Sequence, residues 1–289
     1  MAVDWKRRIL TFVVAAPVAI YLLCSTLGSS ALATVILAGC LTEYRLNLCP
    51  QVLFHSAGQK PQAKNHAWHA AFLVIVGCLV GASATQGKAI HDGATAAAYL
   101  TVFGYHLSLA SFPLASSLHA GLIDLLLDLF ALGYIVNGFS HAILVRQATS
   151  FGMGLQIMTL SASWICDTGA LVMGSLIGTT KLLPTVSPGK TTAGACGSVL
   201  FGVFTVVGAQ FIASSALPAM SLAEQVVLGA TMGVLCVMGD LVESYMKRVA
   251  QVKDSGTLFP GHGGCLDRMD SLLFIAPLMY YWGQWNQWQ

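Results

Sequence analysis

The chain has 289 residues, of which 56% are hydrophobic and 9% charged, whereas a soluble globular protein carries about 25% charged residues. So little charge would leave a soluble fold with more apolar surface than water tolerates, and a net charge of +2 is too small to favour a nucleic-acid partner. The length is therefore counted in membrane spans of roughly 20 residues, and about seven to nine fit with short connections. The expected fold class is all-α, a polytopic integral membrane protein.

In chain order, Lys6, Arg7 and Arg8 precede the apolar run Ile9–Leu27. That run is long enough for a first span and ends without the small-residue site of a cleaved signal peptide. Further apolar runs fall near 30–42, 67–85, 94–114, 120–145, 151–166, 194–215, 222–239 and 271–282. The longest polar connection is Arg45–His66, with Arg45, Lys60, Lys64, Pro50 and Pro61. Excess Lys and Arg mark cytoplasmic segments, so the N-terminus and this connection are expected on the cytoplasmic or equivalent positive side. The stretches Lys181–Lys190 and Lys247–Arg268 are separated by two candidate spans and are expected to share that face.

Asp124 and Asp128 lie four apart in an apolar helix and share one face; they read as a polar contact between helices. His106, His119 and His141 each stand alone and read as packing or interfacial residues. The eight cysteines show no C-x-x-C spacing and read as free thiols acting as small hydrophobes. Tyr280, Tyr281, Trp282, Trp285 and Trp288 fit an interfacial aromatic anchor. Residues 1–150 read as membrane helices without an assigned role, and 151–289 hold the charged motifs; together they form one integrated membrane domain.

The charges are not spread evenly. Asp240, Glu243, Lys247, Arg248, Lys253, Asp254, Asp267, Arg268 and Asp270 are nine of the chain's 14 basic and 12 acidic residues, within one short stretch. Asp240 and Glu243 lie three apart, as do Asp267 and Asp270, so each pair points one way from a helix. The hard-oxygen set Asp240, Asp267 and Asp270 suits Mg²⁺, which takes one or two carboxylates and completes its shell with water and substrate phosphates. Lys247, Arg248, Lys253 and Arg268 suit phosphate oxygens. Pro260-Gly261-His262-Gly263-Gly264 is a turn whose backbone N–H groups can approach a phosphate closely. Together these read as a site for phosphoryl or nucleotidyl transfer; an ordinary solvated basic loop is the plainer alternative.

The run from Ser244 through Lys247-Arg248, Lys253-Asp254, Gly256, Pro260-Gly261-His262-Gly263-Gly264 and Asp267-Arg268 to Asp270 resembles, without a gap, the signature of the phosphatidate cytidylyltransferases. Gly239-Asp240-Leu241-Val242-Glu243-Ser244, Asp167-Thr168-Gly169-Ala170 and Ser187-Pro188-Gly189-Lys190-Thr191 resemble further elements of that family, as do Lys6-Arg7-Arg8-Ile9 and Glu43-Tyr44. Cys265 replaces a usual aliphatic residue, and Thr192 and Ala193 replace a usual tryptophan and a polar or acidic residue. The resemblance is strong over roughly residues 160–275, thin at the N-terminus and absent from 45 to 150.

The resemblance implies a multi-pass membrane enzyme in which a phosphate oxygen of phosphatidic acid attacks the α-phosphorus of CTP and expels pyrophosphate. It implies a catalytic set of Asp240, Asp267, Asp270, Lys253 and Asp254. Asp240, Asp267 and Asp270 would hold Mg²⁺ or Mn²⁺, and Asp167 would serve a second cation or support the site. Ser187, Lys190, Lys247, Arg248, His262, Gly263, Gly264 and Arg268 would contact substrate phosphates. The implied partners are CTP, phosphatidic acid and the bilayer, with a homodimer an allowed assembly.

Gly189-Lys190-Thr191 invites a P-loop reading, which fails because Pro184 stands where the first glycine belongs and no preceding strand is expected. His262 and Cys265 are two ligands, too few for zinc. A transporter would spread its polar residues over helices at midplane depth. The Asp-Gly-x-x-Ala-Arg and Asp-Asp-x-x-Asp spacings of CDP-alcohol phosphotransferases and prenyltransferases do not occur.

Overall fold

A computed structural model describes residues 18, 20–57, 63–111, 118–256, 258 and 263–288. Among these residues, six helices are long and apolar enough to cross a membrane: Thr26–Ser56, Ala67–Gln86, Leu118–Ala148, Gly152–Ile177, Thr192–Ile212 and Leu222–Val249. The protein is an all-α polytopic membrane protein, with six such helices described against about seven to nine expected. The expected span Ile9–Leu27 lies mostly outside the described residues. The run 94–114 forms a 23-residue helix, Lys88–Ala110, which opens on Lys88, His91 and Asp92 and is not among the six. The run 271–282 forms Leu272–Trp285, about 21 Å long at 1.5 Å per residue and so shorter than the roughly 30 Å hydrocarbon core.

The chain divides into two compact units, residues 1–143 with 246–268 and residues 144–245 with 269–289. In the first, α1 (Thr26–Glu43) starts at a cap in which Ser25 Oγ accepts the N–H of Gly28 at 3.0 Å. It runs through a π-helical turn, Tyr44–Leu48, into α2 (Cys49–Ala57). Then come α3 (Ala63–Ser83), α4 (Lys88–Ala110) and α5 (Leu118–Ala131), the last passing through a second π-helical turn, Leu132–Val136, into α6 (Asn137–Ala148). Leu37, Leu41, Tyr44, Leu48, Leu73, Ile135 and Phe139 are buried at the centre of this unit. The Tyr44 hydroxyl donates to the Leu127 carbonyl at 2.9 Å, which satisfies a polar tip inside an apolar core.

The Arg45–His66 stretch is not the polar connection expected from the sequence. Helix runs through Arg45 to Ala57 and resumes at Ala63, because the Arg45 charge is paired inside the unit.

In the second unit, α7 (Gly152–Ile177) packs along α8 (Thr192–Ile212). The approach is close: a Cβ on Gly197 would lie 2.5 Å from the carbonyl oxygen of Gly169. Between these helices a short antiparallel hairpin joins β1 (Lys181–Leu183) to β2 (Ser187–Thr191). It corrects the expectation that no strand stands before Lys190-Thr191; strands of three and five residues carry no hydropathy signal. Thr191 then caps α8, its Oγ1 accepting the N–H of Gly194 at 3.1 Å. Helix α9 (Leu222–Val249) opens on a capping box, in which Ser221 Oγ accepts from the Glu224 N–H and the Glu224 carboxylate accepts from the Ser221 N–H at 2.7 Å. The last helix is α10 (Leu272–Trp285).

Candidate active site

The sequence signature begins in the last turns of α9. Gln251 adopts a left-handed φ of 55°, the N–H of Gln251 donates to the Arg248 carbonyl, and the N–H of Val252 donates to the Lys247 carbonyl. This is a Schellman turn with glutamine where glycine is usual. It stops the helix just after Lys247-Arg248 and sends the chain into the loop.

One carboxylate organises that loop. Asp267 Oδ2 accepts the Ser255 N–H at 2.9 Å, the Ser255 hydroxyl at 3.0 Å and the Gly264 N–H at 2.8 Å, while Oδ1 accepts from Lys247 Nζ at 2.6 Å. Hydrogen bonds to an ionised acceptor are about twice as strong as neutral ones, so four on one side chain tie Lys247, Ser255 and Gly264 to Asp267. Gly263 has φ +86°, a conformation that glycine adopts without strain. The Gly264 N–H, expected to face a phosphate, is spent on Asp267. Lys253, Asp254, Arg248 and Arg268 are exposed in the same unit. Pro260, Gly261 and His262, the last expected to contact phosphate, lie outside the described residues.

A second carboxylate, not assigned from the sequence, also holds the loop. Glu43, buried at the end of α1, accepts the N–H groups of Leu258 at 3.0 Å, Cys265 at 2.5 Å and Leu266 at 3.4 Å. Asn47 Nδ2 donates to the Ser255 carbonyl at 3.1 Å. The sequence signals for Glu43 are the family resemblance of Glu43-Tyr44 and a carboxylate closing an apolar run, and neither shows what the side chain holds.

The second unit carries the other expected residues. The hairpin brings Lys190 to α9, where its ammonium pairs with Asp240 Oδ2, and Ser244 Oγ donates to Asp240 Oδ1 at 3.3 Å. Asp167 of α7 accepts from Cys236 Sγ at 3.1 Å and from Ser271 Oγ at 3.4 Å, and the charges of Asp240 and Lys190 act on it. Asp270 is buried and accepts the Ser271 N–H at 2.7 Å. Ser187 is half-buried at the start of β2.

The first unit also contains a buried charge cluster. Arg45, 1% exposed, donates to both oxygens of Asp124 at 2.6 and 2.9 Å, and Asp128 Oδ1 lies 3.6 Å from its Nη1. His69 and His106 each point Nε2 at Asp128 Oδ2, at 2.6 and 2.8 Å. The expected contact between helices at Asp124 and Asp128 is thus an ion-paired network, and His106 belongs to it, while His119 is exposed. His69, His106 and Asp128 form a group whose ligand atoms lie within 4.8 Å of one another, a set that could hold a metal ion. Arg45 opposes that use. A guanidinium only donates, so His69 Nδ1, in contact with Arg45 Nη2, accepts, and the ring proton sits on Nε2 facing Asp128. The ring atom a metal would need is therefore already donating.

These features define a polytopic α-helical membrane protein with a lysine-bearing loop ordered by carboxylates. A profile of the cytidylyltransferase family matches residues 5–285, and the chain belongs to that family. It is 36% identical over 148 residues to the phosphatidate cytidylyltransferase of Bacillus subtilis (strain 168), covering 51% of this chain and 54% of that protein. The enzyme of the same name from Synechocystis sp. is 43% identical over 134 residues, 45% and 43% of the two chains. That of Staphylococcus haemolyticus is 34% identical over 171 residues, 59% and 64% of the two. The matched stretch thus spans about half the length of the first two relatives.

Proposed function

We propose that the protein transfers a cytidylyl group from CTP to phosphatidic acid, giving CDP-diacylglycerol and pyrophosphate. A phosphate oxygen of the lipid forms the new bond to the α-phosphorus as the bond to the β-phosphate oxygen breaks. The proton balance is light, because phosphatidate near neutral pH already offers an anionic oxygen. The protein's contribution is then positioning and charge neutralisation.

The observation that carries the proposal is a repeated pairing. In each unit a lysine expected to contact phosphate is held by a carboxylate expected to bind a cation, Lys190 by Asp240 and Lys247 by Asp267. A side chain held this way is charged, oriented and ready to be released to an arriving phosphate. Asp240, Asp270 and Asp267 are oxygen donors of the kind Mg²⁺ or Mn²⁺ selects, and Asp167 is the remaining carboxylate of the set. A bound divalent cation would offset the charge of the triphosphate and of the departing pyrophosphate. Arg248, Lys253 and Arg268, exposed beside the loop, supply further positive charge for phosphate, and Asp254, Ser187 and Gly263 complete the proposed set, without Gly264, whose N–H is given to Asp267. Lysine and arginine density favours the cytoplasmic side for this chemistry.

The test is direct. Purified protein in detergent, given phosphatidic acid and radiolabelled CTP, should form labelled CDP-diacylglycerol and release pyrophosphate in equal amounts. Turnover with another nucleoside triphosphate but not CTP would overturn the proposal.

A further inference from the structure

We infer that Glu43 is a positioning residue for the signature loop, acting on substrate only through the backbone that it holds. The inference rests on the cytidylyltransferase reading for its effect on substrate, though the clamp itself does not. Glu43 Oε1 accepts from Leu258, and Oε2 accepts from Cys265 and Leu266. The residues expected to handle phosphate lie between and beside those three amides, and Asp267 follows directly after Leu266.

Four observations converge. Glu43 is 6% exposed, and a buried carboxylate persists only where donors replace its water; here the donors come from the loop. The loop is shaped to admit it: a Cβ on Gly256 would collide with Glu43 Oε1, and a Cβ on Gly264 would lie 2.7 Å from Oε2. A second side chain from the same helical stretch, Asn47, holds Ser255 at 3.1 Å. Asp267, the loop's other organiser, binds the Ser255 and Gly264 N–H groups, so the two carboxylates take different amides and do not substitute for each other. Ser255, Leu258, Gly264, Cys265 and Leu266 are therefore held from two sides, with Lys247 bound to one of the holding groups. Loss of the Glu43 side would let the loop, and the lysine partnered through Asp267, sample other positions.

The experiment compares Glu43→Gln with Tyr44→Phe, the latter removing only the hydroxyl that bonds the Leu127 carbonyl. Glutamine keeps one acceptor oxygen and turns a donor toward the other amide set. The first readout is hydrogen exchange of peptides covering 256–266, without substrate. Glu43→Gln should speed exchange at Leu258, or at Cys265 and Leu266, by about tenfold or more, the factor of one lost charge-assisted bond. Tyr44→Phe should leave those amides unchanged.

The second readout is kinetic: Glu43→Gln should raise KM for CTP about fivefold or more, by the logic of lost positioning. Tyr44→Phe should lower thermal stability with KM unchanged. Wild-type exchange or wild-type KM in Glu43→Gln overturns the inference. Should that variant not fold, Gly256→Ala, which displaces the carboxylate from the loop side, must give the same two changes or the inference fails. If the wild-type protein does not turn over CTP at all, the functional proposal fails, and the exchange experiment still decides whether Glu43 holds the loop.

Discussion

Replacing Asp267 with asparagine separates the carboxylate's charge from its shape. The favoured amide orientation leaves the carbonyl oxygen where Oδ2 accepts from Ser255 and Gly264, and puts the amide nitrogen against Lys247 Nζ, now 2.6 Å from an acceptor. The loop keeps three bonds and Lys247 loses its pairing with Asp267. Lys247 and Asp267 are 14% and 11% exposed, so water replaces little of what is lost, and a charge-assisted bond there contributes about 1.5–3 kcal/mol. Loss of the negative charge proposed to bind a cation adds to this, and turnover should fall at least roughly a hundredfold. The assay is CDP-diacylglycerol formed per folded molecule, with the folded fraction measured by gel filtration in detergent. Lys247→Met combined with Asp267→Asn should be little worse than the poorer single variant, since the two side chains act as one unit. Asp267→Asn turnover within a few fold of wild type would refute the reasoning.

Three further outcomes follow from the same structure. EDTA should abolish turnover and Mg²⁺ or Mn²⁺ should restore it, while full activity in metal-free buffer would remove Asp240, Asp267 and Asp270 from the proposed role. Gln251→Gly should stabilise the protein by about 1 kcal/mol by relieving a side chain held at positive φ, and an unchanged unfolding midpoint in detergent would contradict the left-handed cap. Asp124→Asn should destabilise by about 3–5 kcal/mol, because it leaves the buried Arg45 without its bidentate partner; turnover per folded molecule at saturating CTP should stay within a few fold, and its abolition would move that cluster into the chemistry.

The helices were legible because an apolar run long enough to span is rarely anything else. Their ends were less so. Helix α7 continues to Ile177, past Asp167-Thr168-Gly169, and α9 continues to Val249, past Asp240, Glu243 and Lys247. Charged residues end a hydropathy run without ending a helix, since backbone hydrogen bonds do not depend on side-chain polarity. The hairpin was illegible for the opposite reason: its second strand reads Ser187-Pro188-Gly189-Lys190-Thr191, a composition that sequence rules assign to a turn. In the signature, residue types pointed to phosphate chemistry but not to the use of each group. The glycine-rich turn suggested N–H groups free for a ligand, whereas the Gly264, Cys265 and Leu266 amides are given to Asp267 and Glu43.

Arg45 and Glu43 show why the N-terminal half carried little functional signal on its own. Arg45 finds Asp124 across 79 residues, and Glu43 finds Leu258 across 215; neither separation leaves a local pattern. Only two positions separate Glu43 from Arg45, and at about 100° per residue they point to nearly opposite sides of their helix. One side faces the signature loop and the other faces the buried charges of α5. The Arg45 pairing, which is costly to break once buried, therefore fixes the rotation and depth of the helical stretch from which Glu43 reaches the loop. A carboxylate that must meet three amides within 3.4 Å needs a base that does not turn, and the Arg45 cluster supplies it. The charges that seemed only to pack the N-terminal helices are placed to support the geometry of the signature.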